Sequence, residues 1–452
     1  MKTIMKFLKV ILIITCITLL SSAETLLAQN TEFSRYGAIG FGIGTKGFMG
    51  TGRVKVNGVF SLKKDFWEYD PATDSWTQKA DFGGLARYNA VGFSIGTKGY
   101  IGTGMGGGND FWEYDPTLNK WTRKAEFGGS VRGTAAGFSI GSKGYVGTGY
   151  SFVNGILVNL NDFWEYTPGT GKSKGTWKRI ADLPGNPRYG AVGFGVGLKG
   201  YLTTGINYID STHYTFYKDT WEYDPNKNPK TGGTWTRKTD FAGTPRAFAV
   251  GFSINNTRGY IGTGNTGNNV EGYKNDFWEY NPGNATTPWT QKADFPGIAR
   301  DCAVGFSIGA RGYIGTGLTW NNYDSLVQDF WQYDPGTIPS GPGTWLQKAD
   351  FGMNRAPVKE VASGEITTLV SNDNLVVYPN PSGSSFNFRL TTTSSEPVDL
   401  KIFDMTGRLI QEYTSISPDK IIKAGENLGA GIYIAVLTQG EFRKTVKLNK
   451  VN

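Results

Sequence analysis

One aromatic motif recurs six times along this chain of 452 residues and limits what it can fold into. Copies of the motif, which reads DFWEYD in the first two, start at Asp65, Asp110, Asp162, Asp219, Asp276 and Asp329. Successive copies begin 45, 52, 57, 57 and 53 residues apart. A catalytic site is made once, whereas a packing solution can be repeated. We therefore interpret the carboxylates and aromatic residues of the motif as structural.

Each copy belongs to a longer unit that reads as four β-strands. A second motif, RYNAVGFSIGTKGYIGTG from Arg87, alternates with the first, and a third, KWTRKAEF from Lys120, closes the unit. In the second unit we expect strands near residues 88–95, 99–102, 110–114 and 120–125. A period near 50 with this strand content indicates the blades of a β-propeller.

Strand one of each unit alternates by size rather than by polarity. In the second unit the small residues are Ala90, Gly92 and Ser94, and the bulky ones are Val91, Phe93 and Ile95. Successive side chains of a strand point to opposite faces, so one face of the sheet is bulky and the other is hollow. We predict that the bulky face of one blade fills the hollow of the next.

The repeat resembles the kelch family. Tyr69 with Trp76, and Tyr114 with Trp121, keep that family's tyrosine–tryptophan spacing, although the other four units have longer loops and GTG replaces the family's glycine pair. The resemblance covers residues 35–351 and implies an all-β fold, a six-bladed kelch-type β-propeller within 29–352. We predict that no strand is shared between the two ends, because each unit is complete. The alternative is closure of the ring by N-terminal residues near Phe33.

The C-terminal part has a different pattern. Residues 353–373 read as a linker, and the alternating strands of 374–452 predict a small Ig-like β-sandwich. Its motifs resemble the C-terminal sorting domain of the type IX secretion system of Bacteroidetes, and the matching residues are Tyr378, Pro379, Asn380, Pro381, Asp404, Gly407, Gly431 and Tyr433. The resemblance implies the type IX secretion machinery as a partner. The alternative is an ordinary Ig-like adhesive module.

The N-terminus has the features of a signal peptide, predicted over residues 1–28. Lys2, Lys6 and Lys9 precede an apolar run of 11 residues that is too short to span a bilayer, and a small-residue region follows. Cleavage removes three lysines, one glutamate and one of two cysteines, so the net charge falls from +8 to +6 and Cys302 remains, which we expect to be a small buried side chain. We predict a secreted monomer, extracellular or attached to the outer-membrane surface, with no further membrane span, no internal disulfide and no nucleic-acid partner.

Six arginines, one before each strand one, are candidate ligand-binding residues. They are Arg35, Arg87, Arg132, Arg188, Arg246 and Arg300. If strand one is innermost, they surround one mouth of the central channel. Either each pairs with the glutamate of an FWEY motif (Glu68, Glu113, Glu165, Glu222 or Glu279, with Gln332 the exception), or together they hold an anionic ligand such as a uronic acid, a sialic acid or an acidic peptide.

The loops between strands two and three differ in every unit and are expected on the arginine side. Aromatic residues concentrate there beside Asn and Asp, and Tyr208, Tyr214, Trp320 and Tyr323 are candidate ligand contacts. Aromatic faces with amide and carboxylate neighbours suit sugar rings. The alternative is that these side chains pack the loops onto the propeller.

Enzyme chemistry has little support in the sequence. The single histidine, His213, excludes a copper site that needs two histidines, and no Cys/His cluster predicts zinc. We therefore predict no catalytic residue, metal or cofactor, and interpret the chain as an exported binding protein for glycan or protein ligands. The alternative is a sugar-modifying enzyme, since some kelch proteins are sialic acid mutarotases that need only arginine and carboxylates.

Overall fold

The computed structural model describes most of the chain as two compact units, Met1–Val358 and Lys359–Asn452. The described residues are 32–210, 212–267, 272–319, 325–336, 341–353, 374–378, 384–391, 394–404, 408–417, 421–440 and 442–450. The predicted signal peptide, 1–28, and the predicted linker beyond Met353 lie outside them. No helix in this part of the chain has the length and apolarity needed to cross a membrane.

The first unit contains six antiparallel sheets of four strands among its described residues, and we call these sheets blades 1 to 6. Blade 1 comprises Ile39–Ile43, Lys46–Gly50, Phe66–Asp70 and Ser75–Gln78. Blade 2 comprises Val91–Ile95, Lys98–Gly102, Phe111–Asp115 and Lys120–Arg123. Blade 3 comprises Ala136–Ile140, Lys143–Gly147, Phe163–Thr167 and Thr176–Arg179.

The remaining three blades repeat this order of strands. Blade 4 comprises Val192–Val196, Lys199–Thr203, Thr220–Asp224 and Thr234–Lys238, with a short 3₁₀ helix, Pro229–Thr231, before its last strand. Blade 5 comprises Val250–Ile254, Arg258–Gly262, Phe277–Tyr280 and Trp289–Gln291. Blade 6 comprises Val304–Ile308, Arg311–Thr319, Ser325–Asp334 and Thr344–Lys348.

Short hairpins extend the loops between strands two and three. The blade 1 hairpin, Arg53–Val56 with Val59–Leu62, also pairs with the short strand Arg35–Tyr36. Blade 3 carries Tyr150–Val153 with Ile156–Asn159, and blade 4 carries Ile206–Tyr208 with Tyr214–Phe216. In the hairpins of blades 1 and 3, an Asn-Gly pair with positive φ joins the two strands. This is the turn type that a two-residue hairpin loop prefers.

The six blades form a closed ring. Strand one of each blade contacts strand one of the next, and that of blade 6 contacts that of blade 1. The predicted six-bladed β-propeller is therefore confirmed. Strand one is innermost, because its small residues line the axial cavities of the ring.

The predicted packing of bulky on hollow faces is also confirmed. A Cβ added to Gly92 would lie 2.9 Å from Ile39 of the preceding blade, and one added to Gly99 would lie 2.2 Å from Phe41. The same relation closes the ring, where Gly40 of blade 1 faces Val304 of blade 6. Glycine is required at such positions because a neighbouring side chain already occupies the space.

The ring closes without a shared strand, through contacts that repeat at every blade junction. Trp121 Nε1 of blade 2 donates to the carbonyl oxygen of Ala80 at 3.1 Å. Trp76 of blade 1 makes the same bond, at 3.0 Å, to Ala349 after the last strand of blade 6. Phe33 packs edge-on against Trp67. The N-terminal residues that the structure describes, from residue 32 onward, therefore seal the junction by side-chain packing and contribute no blade strand.

The second unit is a β-sandwich with a core of its own. One sheet contains Asn374–Tyr378, Phe386–Thr391 and Ile422–Ala424, and the other contains Leu409–Ile416, Val398–Asp404, Gly431–Gln439 and Phe442–Lys450. Buried residues of the two sheets, such as Phe388 and Leu400, belong to one apolar cluster. The predicted small sandwich is confirmed.

Candidate functional site

The six repeated arginines are buried, each with its guanidinium group bound to an aspartate. Arg35 donates from Nη1 and Nη2 to the two carboxylate oxygens of Asp65 at 2.7 and 2.8 Å. The corresponding pairs are Arg87–Asp110, Arg132–Asp162, Arg188–Asp219, Arg246–Asp276 and Arg300–Asp329. All six side chains are 0% exposed. The expectation that they pair with glutamates or line an open mouth is therefore wrong.

Further contacts complete each arginine site. Nη1 of Arg87 donates to the carbonyl oxygen of Thr103 and Nε to that of Leu85, while Phe82 stacks on the guanidinium at 4.7 Å. Trp112 Nε1 donates to the carboxylate of Asp110. Because the guanidinium has a carboxylate beside it and all three of its nitrogens donate hydrogen bonds, the charge can be buried without a ligand. The aspartates of the motif therefore bind arginine and tryptophan, in keeping with a structural role.

The glutamates of the FWEY motif have other partners. Glu113 accepts a hydrogen bond from the hydroxyl of Tyr100 at 2.7 Å and pairs with Lys124 at 3.2 Å. Burial and the adjacent Glu113 both raise the pKa of Tyr100. Lys124 supplies the cation that a partly buried Glu113 needs. These residues hold the outer strands of a blade together and do not face the channel.

A ring of backbone hydrogen bonds encircles the axis where strand one begins. Six residues, each two positions after an arginine, donate from N–H to the carbonyl oxygen of the equivalent residue in the preceding blade, at 2.7 to 3.0 Å. They are Gly37, Asn89, Thr134, Gly190, Phe248 and Cys302. All six have left-handed backbone conformations, with φ of 57° at Phe248 and 50° at Cys302. Such φ values strain a non-glycine residue and mark a position that the surroundings enforce.

Tyrosine side chains surround this backbone ring on the side of the variable loops. Tyr36 and Tyr88 lie edge to face at 5.8 Å, and Tyr150 and Tyr189 do so at 5.1 Å. Tyr189 also contacts Phe248 at 5.7 Å. Each of these rings is half-buried. We call the four tyrosines the tyrosine arc, and the space they surround the axial mouth.

The hydroxyls of Tyr150 and Tyr189 stay protonated over the physiological pH range. Burial raises the pKa of Tyr150 and of Tyr189 to about 12. Arg53 of the blade 1 hairpin donates to the hydroxyl oxygen of Tyr36 at 3.0 Å, and its guanidinium lies over Phe60 at 4.2 Å. The mouth therefore offers aromatic faces, hydroxyl groups and one half-buried guanidinium.

The opposite side of the mouth carries one buried carboxyl group. Asp301 takes the place in blade 6 that Tyr36 and Tyr88 hold in blades 1 and 2. Its Oδ2 accepts a hydrogen bond from Asn265 at 3.2 Å, whereas its Oδ1 is buried without a hydrogen-bond partner. Burial raises the pKa of Asp301 to about 7, so the carboxyl can take either protonation state near neutrality.

Cys302 follows Asp301 in the backbone ring. Burial of the thiol and the adjacent Asp301 both raise its pKa. Its surface is half-buried rather than fully buried, because it lies at the top of the axial channel. A thiol with a raised pKa is a poor nucleophile, so the structure does not favour covalent chemistry at this residue.

Two of the four aromatic loop candidates extend this surface. Tyr208 and Tyr214 stand side by side on the blade 4 hairpin, with ring centroids 6.5 Å apart and an interplanar angle of 20°. Burial is the main cause of the raised pKa of Tyr189, and the nearby Tyr208 raises that pKa further. Tyr214 is 42% exposed. Trp320 and Tyr323 lie outside the described residues.

Sequence reasoning missed the residues of the axial mouth. The tyrosine after each arginine is visible in the repeat at Tyr36, Tyr88 and Tyr189, and its replacement by Asp301 in blade 6 was a usable signal. Whether these side chains face the axial mouth depends on the left-handed residue that follows each of them in the chain. No group of three or more His, Cys, Asp or Glu that could hold a metal occurs among the described residues.

The sorting residues are only partly described. Asp404 accepts hydrogen bonds from the backbone N–H and the Nε of Arg408, and the hydroxyl of Tyr433 donates to the carbonyl oxygen of Gly429. Gly431 begins a strand, and Tyr378 ends one. Pro379, Asn380, Pro381 and Gly407 lie outside the described residues.

Comparison with known proteins agrees with both units. Residues 376–450 match the family model described as "Secretion system C-terminal sorting domain". The protein carries a secretion sorting tail. It is therefore secreted or attached to the cell surface, and the predicted resemblance of the tail is confirmed.

The solved structure of YjhT is similar to this chain, with a TM-score of 0.55 and 15% sequence identity, over 70% of this chain and 99% of YjhT. At this identity the likeness shows the fold and nothing about ligand or activity. A search of curated proteins by sequence found no match.

Proposed function

We propose that this protein is an exported binding protein whose propeller takes a glycan or protein ligand at the axial mouth and along the tyrosine arc. The observation that carries this proposal is the set of half-buried Tyr36, Tyr88, Tyr150 and Tyr189 around one point of the axis. Aromatic rings with a polar group at one end are enriched in binding surfaces because they combine apolar area with hydrogen bonding. The buried arginines hold this surface in place and do not bind the ligand.

A glycan is the favoured ligand class. Hydroxyl groups of Tyr150 and Tyr189, the guanidinium of Arg53 and the carboxyl of Asp301 can exchange hydrogen bonds with sugar hydroxyls, while the rings contact the apolar faces of sugars. Tyr208 and Tyr214 continue the surface toward the rim, which gives space for more than one residue of an oligosaccharide.

A glycan array probed with the full chain tests this function. We expect saturable binding that Tyr150→Ala weakens about tenfold or more, and that Tyr150→Phe weakens less because it keeps the ring. Val153→Ala on the same hairpin is the matched control, since Val153 is 54% exposed and its side chain lies on the strand face opposite to Tyr150. Equal losses in Tyr150→Ala and Val153→Ala would contradict binding at the mouth.

A sugar-modifying enzyme is the second candidate, and Asp301 is the observation that favours it. A carboxyl with a pKa near 7 can accept a proton from an anomeric hydroxyl and return it, which is the requirement for general acid–base catalysis at neutral pH. The test is acceleration of anomer exchange, followed by NMR. Catalysis that Asp301→Asn abolishes would establish the enzyme; binding without turnover would exclude it.

Export through the type IX secretion system is the third part of the proposal. The sorting tail supports it, and the test is deletion of residues 371–452. We expect the shortened protein to remain in the periplasm. Surface delivery of the shortened protein would contradict the proposal without affecting the ligand site.

A further inference from the structure

Blade 2 has an unusually short loop between strands two and three. Five residues, 105–109, separate its GTG from the next DFW motif, whereas the corresponding loops have 11 to 13 residues. Three positions before the motif aspartate the other blades have Leu62, Asn159, Phe216, Tyr273 and Leu326, and blade 2 has Gly107. The rim between blades 1 and 2 therefore lacks a side chain that each other blade supplies.

A cleft of about 500 Å³ lies at this rim. Its lining includes Lys64, Leu85, Asn109, Trp112, Arg123 and Glu126. Gly84 and Gly107 also line the cleft and lie directly over the buried guanidinium of Arg87: a Cβ on Gly107 would lie 2.1 Å from its Cζ, and one on Gly84 would lie 2.7 Å from its Nη2. The volume is in the range of small-molecule sites, and the two glycines bring the backbone that lines the cleft into direct contact with Arg87.

The side chains of this rim cleft present an aromatic surface beside a free acceptor. Trp112 is half-buried, and its Nε1 donates to Asp110 at 2.7 Å. A ligand can therefore contact Trp112 only through the apolar surface of its ring. Asn109 donates from Nδ2 to the carbonyl oxygen of Gly129 at 2.9 Å, which orients the amide. Its Oδ1 is buried and has no hydrogen-bond partner. An acceptor of this kind needs a donor from outside the protein.

The charged groups at the edge of the cleft are largely neutralised. Arg123 and Glu126 form an exposed ion pair at 2.7 Å, with side chains 51% and 64% exposed. Exposed pairs of this kind are weak, so their donors and acceptors can turn to a polyol. Among the residues that line the cleft, Lys64 is the one exposed cation outside this pair.

We propose that the rim cleft is a subsite for one neutral hexose of a glycan. The apolar face of the sugar stacks on Trp112, and one hydroxyl donates to Oδ1 of Asn109. Other hydroxyls bind Arg123 and Glu126. This subsite is separate from the axial mouth and does not require ligand binding there.

Isothermal titration of the full chain with a defined set of oligosaccharides tests the proposal. The probes are hexamers of glucose (β-1,4 and α-1,4), mannose and galactose, with a galacturonate hexamer as the acidic comparison. We expect at least one neutral hexamer to bind, Trp112→Ala to weaken it tenfold or more, and Asn109→Leu to weaken it about fivefold.

Trp164→Ala is the matched control for folding and packing. Trp164 holds the same position in blade 3, where the loop is long, and contacts Phe127 as Trp112 contacts Phe82. We expect its affinity for the neutral hexamer to be unchanged. Equal weakening by Trp164→Ala, binding of the galacturonate hexamer alone, or no binding by any probe would overturn the proposal. Tyr150→Ala separates the two sites, because it impairs the mouth and leaves the rim cleft intact.

Discussion

The blade interiors and the loop face of the propeller are built on opposite rules. Inside the blades, an arginine, an aspartate and a tryptophan form the same buried arrangement at all six positions. On the loop face, hairpins of different length and sequence surround the axis, and blade 2 has almost none. The repeated contacts therefore hold the propeller ring together, whereas departures from the repeat identify places where a ligand can bind.

The largest expected effect comes from breaking a repeated pair. Arg188→Met leaves the carboxylate of Asp219 buried without its cation, and such a change costs about 3–5 kcal/mol of unfolding free energy. Arg237→Met is the control, because Arg237 pairs with Asp240 at the surface, where the expected cost is below about 1 kcal/mol. Urea denaturation measures both. Similar costs would mean that the buried pairs do not hold the blades.

Asp301 and Asp219 are expected to respond to pH in opposite directions. Burial raises the pKa of Asp219, but hydrogen bonds and charge from Arg188 outweigh it, so the net pKa is lowered and its stabilisation is lost as the pH falls below about 4. The folded-state pKa of Asp301 is raised to about 7, so the folded protein loses stability as the pH rises from about 4 to 7.

Asp301→Asn should remove the loss of stability between pH 4 and pH 7. The unfolding free energy of the wild type is expected to fall by on the order of 2–4 kcal/mol from pH 4 to pH 8, and that of the variant is not. Asp294→Asn, an exposed change in blade 5, is the control for net charge. Urea midpoints at the two pH values measure the effect. The same pH dependence in wild type and Asp301→Asn would show that the carboxyl titrates normally.

A smaller effect is expected from filling one glycine hollow between blades. Gly99→Ala places a methyl group 2.2 Å from Cε2 of Phe41, and overpacking of this kind costs about 1–3 kcal/mol. Phe41→Leu in the same chain should recover part of the loss, which a double-mutant cycle on the melting temperature would detect. Strict additivity of the two changes would mean that the two blades do not meet at this contact.

The smallest effect on stability is expected at the hairpin tips. Ile156 is 69% exposed, and Ile156→Ser should change the unfolding free energy by no more than about 0.5 kcal/mol. A larger loss of unfolding free energy would show that the hairpin tips contribute to the stability of the propeller. The contrast between blade interior and loop face would then not hold at the tips.

Most of the fold follows from the repeat. The alternation of small and bulky residues in strand one predicted blade stacking, because side-chain direction in a strand depends only on local sequence. The partner of Arg35 was not predictable in this way. Asp65 and Glu68 stand three residues apart in one motif, and the choice between them depends on where strand three begins beside strand two.

The axial mouth was harder to predict than the blades. Tyr36, Tyr150 and Asp301 reach it from different positions of their blades, two directly after an arginine and one from a hairpin. Their convergence requires the left-handed residue two positions after each arginine, and at Phe248 and Cys302 that conformation has no local sequence signal. The rim cleft, in contrast, was marked by the length of one loop.

The circle of six backbone hydrogen bonds has an electrostatic consequence for any ligand. Every amide points the same way around the axis, from one blade to the preceding one, so the peptide dipoles run tangentially and their vector sum is close to zero. This backbone ring therefore does not attract anions as a helix terminus does, and it does not coordinate cations as a ring of free carbonyl oxygens does. Selectivity between ligands at the axial mouth therefore depends on the side chains around this ring of backbone hydrogen bonds.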